Sequence, residues 1–597
     1  MSYRTIITIA ALYVLVSSAA VAELPTHFIY RGEPLYLDLD PTQLMIRYQP
    51  DLDSADHQAV LNGVGFTVIE EWATGSPGWY VLTHDNALNN ATDVDFSINE
   101  LTALAEIEYV SPVFSRSENN WVAISPDILI SLKPEYFDQA EAVLSELAPQ
   151  MQITDSNFGN MPGAFVLRSG SHNGFEVLDQ ANELAGDNRV KWAEPDMICF
   201  GEIAEPETVD IPELLDGQNS AANSRLIPND PLFYLQWSHL NTGQFGGVPG
   251  IDTDADLTWD ITTGSPDIKI LVLDDGVQLD HPDLNVLPGA DFTYNWGNLG
   301  GPVNKCDNHG TSVAGNITAI INNETGCVGI APDCKVLPAR IFIRRIQNPC
   351  TMWHTQRTSW SVNALAWGQE QGARVSNLSS SLLESDAIYE QFLQTYNNGM
   401  VHFASAGNQA GASIIYPASL EVVNAVSMLK YDGVMYPGCH GPEMAVCAPG
   451  VHIVTTDRTG ADGSNETDYK YSGGTSHSSP YAAGVAALIL SAEPSLTPAE
   501  VERRLLYSAV DYGEPGFDEY YGHGVVNAYR ALRFTYGDCN GDFEVDSSDV
   551  KGLFDYYFYP GAIPAQVMAG DLNTNGQIDL ADILALAYLV NLGGGAD

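Results

Sequence analysis

The chain has 597 residues, 45% of them hydrophobic, and its 76 acidic and 25 basic side chains give a net charge of −51. This hydrophobic content suffices for several packed domains and excludes a wholly disordered chain. The charge excludes nucleic acid and anionic membrane surfaces as expected partners, because both carry charge of the same sign.

The first segment predicts an export signal over residues 1–22. Arg4 precedes an apolar run from Ile6 to Val16, and small residues end at Ala22. Cleavage after Ala22 follows the usual pattern of signal peptides, whereas the alternative, a membrane anchor, needs about 20 apolar residues. The mature protein is therefore expected to be secreted or extracellular, with no membrane span after signal removal.

Residues 23–200 contain an internal repeat. Three short stretches recur in the same order, so that 45–50, 77–82 and 107–112 match 129–134, 162–167 and 190–195. A duplication predicts two small α+β units, 23–116 and 117–200. A pair of ordinary binding modules is the alternative. The segment 201–228, rich in acidic, Pro, Ser and Asn residues, predicts a linker.

Two polar residues accompany apolar segments further along the chain. Asp274 comes directly after the run 268–273, which predicts a buried parallel strand. The carboxyl ends of such strands are where α/β proteins place their active sites. His309 opens the motif 309–315, which leads into an apolar helical pattern. Singly, an Asp before Gly is more typical of a turn, and a lone His of a structural position.

Two further candidates follow. Asn408 ends the motif 404–408 after a strand-like segment. Ser476 lies in the motif 474–480, where a tight glycine turn leads into a predicted helix over 481–490. A serine at the start of a helix lies where developing negative charge is favoured. A loop asparagine and a turn serine that caps the helix are the alternative interpretations.

The chain order Asp274, His309, Asn408, Ser476, with the motifs around these residues, resembles the subtilisin-like serine proteases. That family usually has Met where this chain has His477. The resemblance implies an α/β fold, with a three-layer catalytic domain around a central parallel sheet over residues 229–534. It also implies a secreted serine endopeptidase that acts on proteins or peptides.

The resemblance gives each candidate a role. Ser476 would be the nucleophile, His309 the general base, and Asp274 would orient His309 and stabilise its cationic form. Asp275 is the less favoured alternative to Asp274. Asn408 would donate its side-chain amide to the oxyanion, together with the backbone N–H of Ser476.

Other parts of the chain depart from the family. Ser379 lies in the motif 377–381, where the family commonly has Ser, Leu, Gly and Gly, and it is expected to pair with substrate backbone. The two repeats stand where the family has a propeptide that assists folding and inhibits the enzyme until it is removed. The family usually has one such unit. The cut that frees the enzyme is expected within residues 201–228.

The same resemblance implies a structural Ca²⁺ site in the catalytic domain. Its expected ligands are Asp283, Asn323 and, as a third side chain, Asp230, because oxygen ligands suit Ca²⁺. A solvated turn is the alternative.

Six of the eight cysteines lie in one region: Cys306, Cys327, Cys334, Cys350, Cys439 and Cys447. Disulfides are expected in an oxidising compartment, but six cysteines allow many connectivities. A bond between Cys439 and Cys447 is suggested by proximity alone. A zinc site is the alternative, and neither a CxxC pair nor a nearby histidine cluster supports it.

Residues 535–597 contain two loops with the same spacing of Asp and Asn side chains. Positions 1, 3, 5, 9 and 12 of an EF-hand-like loop are Asp538, Asn540, Asp542, Asp546 and Asp549 in the first, and Asp571, Asn573, Asn575, Asp579 and Asp582 in the second. Phe543 replaces the glycine expected at position six of the first loop, whereas Gly576 fits the second. The pair resembles a dockerin, a small all-α unit, which implies Ca²⁺ in both loops and a cohesin-type partner on a scaffold or cell surface.

Two other classes of function remain open. A catalytically silent scaffold or adhesion protein would show no labelling of Ser476 by a fluorophosphonate. A transpeptidase or cyclase on the same scaffold would give ligated rather than hydrolysed peptides. For the protease, a monomeric catalytic unit is expected.

Overall fold

The computed structural model describes residues 24–52, 56–62, 64–72, 78–84, 91–117, 120–202, 226–293, 297–344, 350, 353–464, 467–559, 564 and 566–593. The predicted export signal and residues 203–225 of the predicted linker lie outside the described residues. Among the helices that are described, none combines the length and the apolar character needed to cross a bilayer.

Residues 24–202 begin with a short hairpin, after which the order strand, helix, strand, strand, helix, strand occurs twice. The bounds are β1 His27–Tyr30, β2 Glu33–Tyr36, β3 Asp38–Tyr48, α1 His57–Leu61, β4 Phe66–Trp72, β5 Trp79–His84, α2 Ala91–Thr102, β6 Ile107–Ser117, β7 Asn120–Leu132, α3 Ala140–Leu147, β8 Gln152–Asp155, β9 Ala164–Arg168, α4 Gly174–Ala185 and β10 Val190–Glu202.

The two copies share one continuous sheet, which differs from the expectation of two separate units. β6 ends the first copy and pairs antiparallel with β7, which begins the second. The strand order across this part of the sheet is β10-β7-β6-β3-β5-β4, with β9 and β8 paired beside β7. The sequence predicts a duplication, but not the hairpin that joins the two copies into one layer.

The remaining residues form the parallel sheet with its helices, followed by a short tail. The bounds are α5 Ala255–Thr258, β11 Lys269–Asp274, β12 Ala290–Asp291, α6 His309–Thr318, β13 Lys335–Arg340, β14 Ile343–Arg344, β15 Trp353–Arg357, α7 Thr358–Glu370, β16 Ala373–Leu378, α8 Asp386–Asn397, β17 Val401–Ser405, β18 Asn424–Leu429, β19 Met444–Pro449, β20 Ile453–Thr456, β21 Tyr469–Ser472, α9 Thr475–Ala492, α10 Pro498–Tyr507, α11 Ala528–Leu532, α12 Ser547–Phe558 and α13 Leu580–Gly593.

A seven-stranded parallel sheet of order β12-β13-β11-β16-β17-β18-β19 forms the middle layer. Alternate residues of β11 face opposite cores: Ile270 and Val272 pack on the side of α6 and α9, and Leu271 and Leu273 on the side of α7 and α8. Burial on both faces explains the continuous apolar run of this strand. The predicted three-layer α/β arrangement with a central parallel sheet is confirmed.

The disulfide of the structure joins Cys306 to Cys350. Cys439 and Cys447 are separate buried thiols, so the pairing suggested by proximity is wrong. Cys447 lies in β19, and its side chain packs in a small core with Leu429 and Val525.

The tail packs its two helices, α12 and α13, around Cys539, Leu553, Ile583 and Leu586. Side-chain contacts attach it to the preceding residues. The Arg533 guanidinium carbon lies 4.0 Å from the centre of the Phe543 ring, and the Tyr507 hydroxyl donates to Asp571 over 3.3 Å.

Candidate active site

Asp274 is the last residue of β11, which lies between β13 and β16 in the sheet. Its carboxylate oxygens lie 2.8 and 2.9 Å from Nδ1 of His309, and both side chains are buried. A carboxylate on Nδ1 fixes the orientation of the imidazole and directs Nε2 away from it. The structure therefore brings the predicted Asp and His together.

Asp275 anchors the helix that carries His309. Its carboxylate accepts from the backbone N–H groups of His309 (3.1 Å) and Gly310 (2.8 Å), the first two residues of α6. Burial raises the pKa of Asp275, and the charge of Arg344, whose Nε lies 2.6 Å away, opposes that rise. Asp275 therefore stabilises the start of the helix. Asp274 is the aspartate that bonds the His309 ring.

Gly310 permits the close approach of α6 to β11. A Cβ at this position would collide with the carbonyl oxygen of Gly276 and with Cβ of Asp274. The glycine that follows His309 is therefore required by packing against the strand that ends in Asp274.

Ser476 is the second residue of α9, which begins at Thr475, six residues earlier than the pattern predicts. Gly474 precedes the helix with φ of 101°, a value that favours glycine. Ser476 is buried, and its Oγ donates to the carbonyl oxygen of Ser379 over 3.2 Å. The ring of the next residue, His477, has its centre 6.1 Å from that of His309.

Asn408 lies beside the same helix start. Its Oδ1 accepts from the backbone N–H and from the hydroxyl of Thr475, each over 2.9 Å. These two bonds fix the carboxamide, so that its Nδ2 faces away from Thr475. Thr475, which precedes Ser476, thereby orients the Asn408 amide that is predicted to bind an oxyanion.

Ser379 is buried beside the start of α9, and its Oγ donates to the carbonyl oxygen of Ser476 over 2.7 Å. Asn377 lies in the same segment, donates to that Oγ over 2.9 Å, and accepts from Ser479 over 2.7 Å. The Ser379 side chain therefore ties its segment to α9, and a contact with substrate would fall to its backbone.

β10, the last strand of the second repeat, extends onto the catalytic domain. Ile198–Glu202 pairs antiparallel with Trp353–Arg357 of β15, so residues 201 and 202 of the predicted linker belong to a strand. A cavity of about 340 Å³ lies alongside and is lined by Cys199, Phe200, His354, Leu383 and Tyr416, among others.

Two carboxylates of β10 occupy the starts of catalytic-domain helices. Glu194 accepts from the Ser385 hydroxyl and from the backbone N–H groups of Asp386 (3.0 Å) and Ala387 (3.1 Å) at the start of α8. Asp196 accepts from the backbone N–H (3.0 Å) and hydroxyl (2.8 Å) of Ser359 in α7. N–H groups at helix starts lack intrahelical partners, and these bonds satisfy them.

The first repeat also reaches α8 through the hairpin of β1 and β2. The backbone N–H of Arg31 donates to the Asp386 carboxylate over 3.1 Å, and its guanidinium carbon lies 4.6 Å from the centre of the Tyr389 ring. Both repeats therefore contact the first turn of the same helix. Arg31, Glu194 and Asp196 carry no local signal in the sequence, because their partners are far away in the chain.

The predicted calcium residues of the catalytic domain lie together. Asn323 Nδ2 donates to Asp283 over 2.6 Å, and the Asp230 carboxylate accepts from the backbone N–H groups of Asn322 (2.8 Å) and Asn323 (3.3 Å). Burial, with a smaller contribution from the charge of Asp230, raises the pKa of Asp283 to about 7. A divalent cation would offset the repulsion between the Asp230 and Asp283 carboxylates, so these residues fit Ca²⁺.

The two tail loops have matching hydrogen bonds. The position-one carboxylates accept backbone N–H groups from the loop centre: Asp538 from Gly541 and Phe543, and Asp571 from Asn575 and Gly576. Phe543 adopts φ of 70° and Gly576 of 80°, so the first loop turns like the second without the glycine. The Arg533 contact holds the Phe543 ring in place.

The position-twelve carboxylates also form equivalent hydrogen bonds in the two loops. Asp549 accepts from Asn540 (3.0 Å) and Asp546 (2.9 Å), and Asp582 accepts from Asn573 (3.2 Å) and Asp579 (3.0 Å), all through backbone N–H groups. Asn540, Asp542, Asn573 and Asn575 each accept a backbone N–H within their own loop. Buried carboxylates at positions one and twelve fit a cation. Within the described residues, no group of three or more His, Cys, Asp or Glu side chains is arranged to hold a metal ion.

Comparison with known proteins identifies the class. The model of the subtilase family matches residues 265–524. A thermophilic serine proteinase from Bacillus sp. (strain AK1) is 34% identical over 313 residues, which cover 51% of this chain and 71% of that protein. Subtilisin from Bacillus pumilus is 33% identical over 279 residues, which cover 45% of this chain and 92% of that protein.

A third relative is the halolysin-like extracellular serine protease Nep from Natrialba magadii. It is 32% identical over 332 residues, which cover 54% of this chain and 56% of that protein. The chain belongs to the subtilase family. It is a subtilisin-like serine endopeptidase.

Proposed function

We propose that this subtilase is secreted as an inactive precursor and hydrolyses peptide bonds through Asp274, His309 and Ser476. The observation that carries the proposal is the bond between Asp274 and Nδ1 of His309 beside the helix start that presents Ser476. The extracellular protease Nep among its relatives supports secretion.

Each residue would act through its position. His309 Nε2 would take the proton of Ser476 as Oγ attacks the substrate carbonyl, and would return it to the leaving amine. Asp274 would keep the imidazole oriented and stabilise its cationic form. Asn408 Nδ2 and the backbone N–H of Ser476 would stabilise the oxyanion, and water would hydrolyse the acyl-enzyme.

The N-terminal region would keep this site inactive. Residues 198–202 pair with β15 in the manner of an extended peptide, and Glu194 and Asp196 hold the starts of α8 and α7. We propose that both repeats take part, because the hairpin of the first repeat contacts Asp386 of α8. The freeing cut would lie C-terminal to β10.

Calcium would stabilise two parts of the chain. Asp230, Asp283 and Asn323 would hold one ion, and the ten Asp and Asn side chains of the tail loops would hold two more. The bound ions supply positive charge that offsets the repulsion between buried carboxylates. The tail would attach the enzyme to a cohesin-type protein, and the catalytic unit would be monomeric.

The test is labelling of the purified mature chain with a fluorophosphonate, followed by peptide mass spectrometry. We expect a single adduct on Ser476, with loss of hydrolysis in proportion to labelling. A chain that hydrolyses nothing and carries no adduct would be a silent scaffold. Ligated products from a peptide library would instead identify a transpeptidase.

Removal of Ca²⁺ with a chelator should lower the melting temperature and unfold the tail. A cation hundredfold above its Kd stabilises the folded state by about 3 kcal/mol. Circular dichroism and calorimetry with and without chelator measure the change. Asp549→Asn and Asp582→Asn should reproduce the loss in the tail, whereas Asp555→Asn, at an exposed pair with Lys551 outside the loops, should not. An identical melting curve in chelator would count against both calcium assignments.

A further inference from the structure

His477 follows Ser476 directly and is fully buried in the first turn of α9. Its Nδ1 lies 2.8 Å from Nδ2 of Asn316, and its Nε2 lies 2.7 Å from Oγ of Ser472. An amide nitrogen can only donate, so Nδ1 accepts and the imidazole is neutral. Its proton is on Nε2, which donates to the Ser472 hydroxyl.

Asn316 belongs to α6, the helix that His309 opens. It lies seven residues after His309, which is two helical turns, so both residues face the same side of α6. That side packs against α9. The bond from Asn316 to His477 therefore joins the helix of the proposed base to the helix of the proposed nucleophile.

Ser472 adds a third attachment. It is the last residue of β21, two residues before the glycine turn that leads to Ser476. His477 is thus held on one side by the chain that enters the turn and on the other by α6. A methionine would fill the same space and make neither bond.

We propose that His477 is a positioning residue, whose neutral imidazole fixes the first turn of α9 against α6 and so sets the separation between Ser476 and His309. This role rests on the proposed function, because it matters only if these two residues react together. Because His477 is fully buried, its side chain is not available to bind substrate. Its loss should therefore lower kcat and leave KM nearly unchanged.

The experiment measures kcat and KM on a peptide substrate, with enzyme concentration set by active-site titration. His477→Phe and His477→Met, which remove both bonds, should lower kcat about tenfold, because small misplacements of reacting groups cost rate. KM should stay within about twofold of wild type. His477→Gln restores a group that both accepts and donates, and it should recover most of the rate.

Asn316→Leu removes the same bond from the other helix and should lower kcat to a similar extent. Combining it with His477→Phe should cost little more than either alone, because residues that share one bond are not additive. If His477→Phe does not fold, Asn316→Leu decides, and an unchanged kcat in that variant overturns the proposal.

A matched control is His402→Phe in β17. His402 is also fully buried and bonded to a serine hydroxyl, Ser376, at 2.7 Å, but its Nε2 lies beside Thr395 and Phe392 of α8 rather than beside α6. It should lose thermal stability and keep kcat. An equal loss of kcat in the control, or wild-type kcat in His477→Phe, would overturn the positioning role. A wild-type chain without hydrolysis would instead contradict the proposed function.

Discussion

Ser476→Ala should abolish peptide hydrolysis and leave the N-terminal region attached to the purified chain. The substitution removes the oxygen that attacks the substrate carbonyl, and in subtilisin, a relative of this chain, loss of the nucleophile costs about 2 × 10⁶ in kcat. We expect a comparable fall here. Residual hydrolysis is measured on a chromogenic peptide, and intact-mass spectrometry shows whether the precursor has been cut.

Ser478→Ala is the matched control for Ser476→Ala. Ser478 lies in the same helix turn and is equally buried, and within the described residues its Oγ has no hydrogen-bond partner. It should retain hydrolysis and self-cleavage. A purified Ser476→Ala chain that still lacks its N-terminal region would mean that a separate protease performs the cut.

The hold of the N-terminal region on the catalytic domain should weaken as the pH rises. Burial in β10, together with the nearby charge of Asp386, raises the pKa of Glu194 from 4.5 to about 8, although three donated hydrogen bonds oppose the rise. On release, the carboxyl group enters water and its pKa returns towards 4.5. The bound state therefore holds the proton more tightly than the released state.

The direction of the pH effect and the pH range over which it acts follow from this difference in the pKa of Glu194. A carboxyl group whose pKa is raised in the complex favours the complex at low pH and loses that contribution as the pH rises to about 8. Affinity should fall by up to about tenfold per pH unit between these two pKa values. Burial also raises the pKa of Asp386 to about 6, which acts in the same direction.

The measurement is the lag before hydrolysis begins, recorded between pH 5 and pH 8 in buffers matched to about the same ionic strength. The lag of the wild-type chain should shorten steeply with pH. Glu194→Gln keeps the shape of the side chain without the titrating group, so its lag should depend much less on pH. Glu183→Gln, an exposed change in α4, should behave like wild type. A wild-type lag that does not change with pH would contradict the prediction.

Local sequence was enough to locate the candidate residues. Asp274 ends a continuous apolar strand, and His309 and Ser476 begin helices, so each is marked by the change of pattern beside it. Their chain order underlies the resemblance to the subtilisin-like proteases, which implies a central parallel sheet. Because parallel strands place their carboxyl ends at one edge, residues far apart in sequence meet there.

Long-range pairings could not be predicted in the same way. Glu194 and Asp196 satisfy helix starts more than 160 residues away, and nothing in their own segment indicates those partners. The bond between Cys306 and Cys350 was one of many possible pairings, and proximity favoured a wrong one. From the sequence alone, Asp275 is only a weaker alternative to Asp274, because its hydrogen bonds to the start of α6 and its ion pair with Arg344 are long-range contacts.

The pairing of β10 with β15 has a consequence for what the enzyme recognises. If the N-terminal region is released as proposed, β15 would become an edge strand whose backbone N–H and C=O groups are left to pair with another chain. Such an edge gains affinity for an extended chain mainly through main-chain hydrogen bonds. Cleavage should therefore select segments of a target that are already unfolded or extended over several residues, and compact substrates should be cut at their loops and termini first.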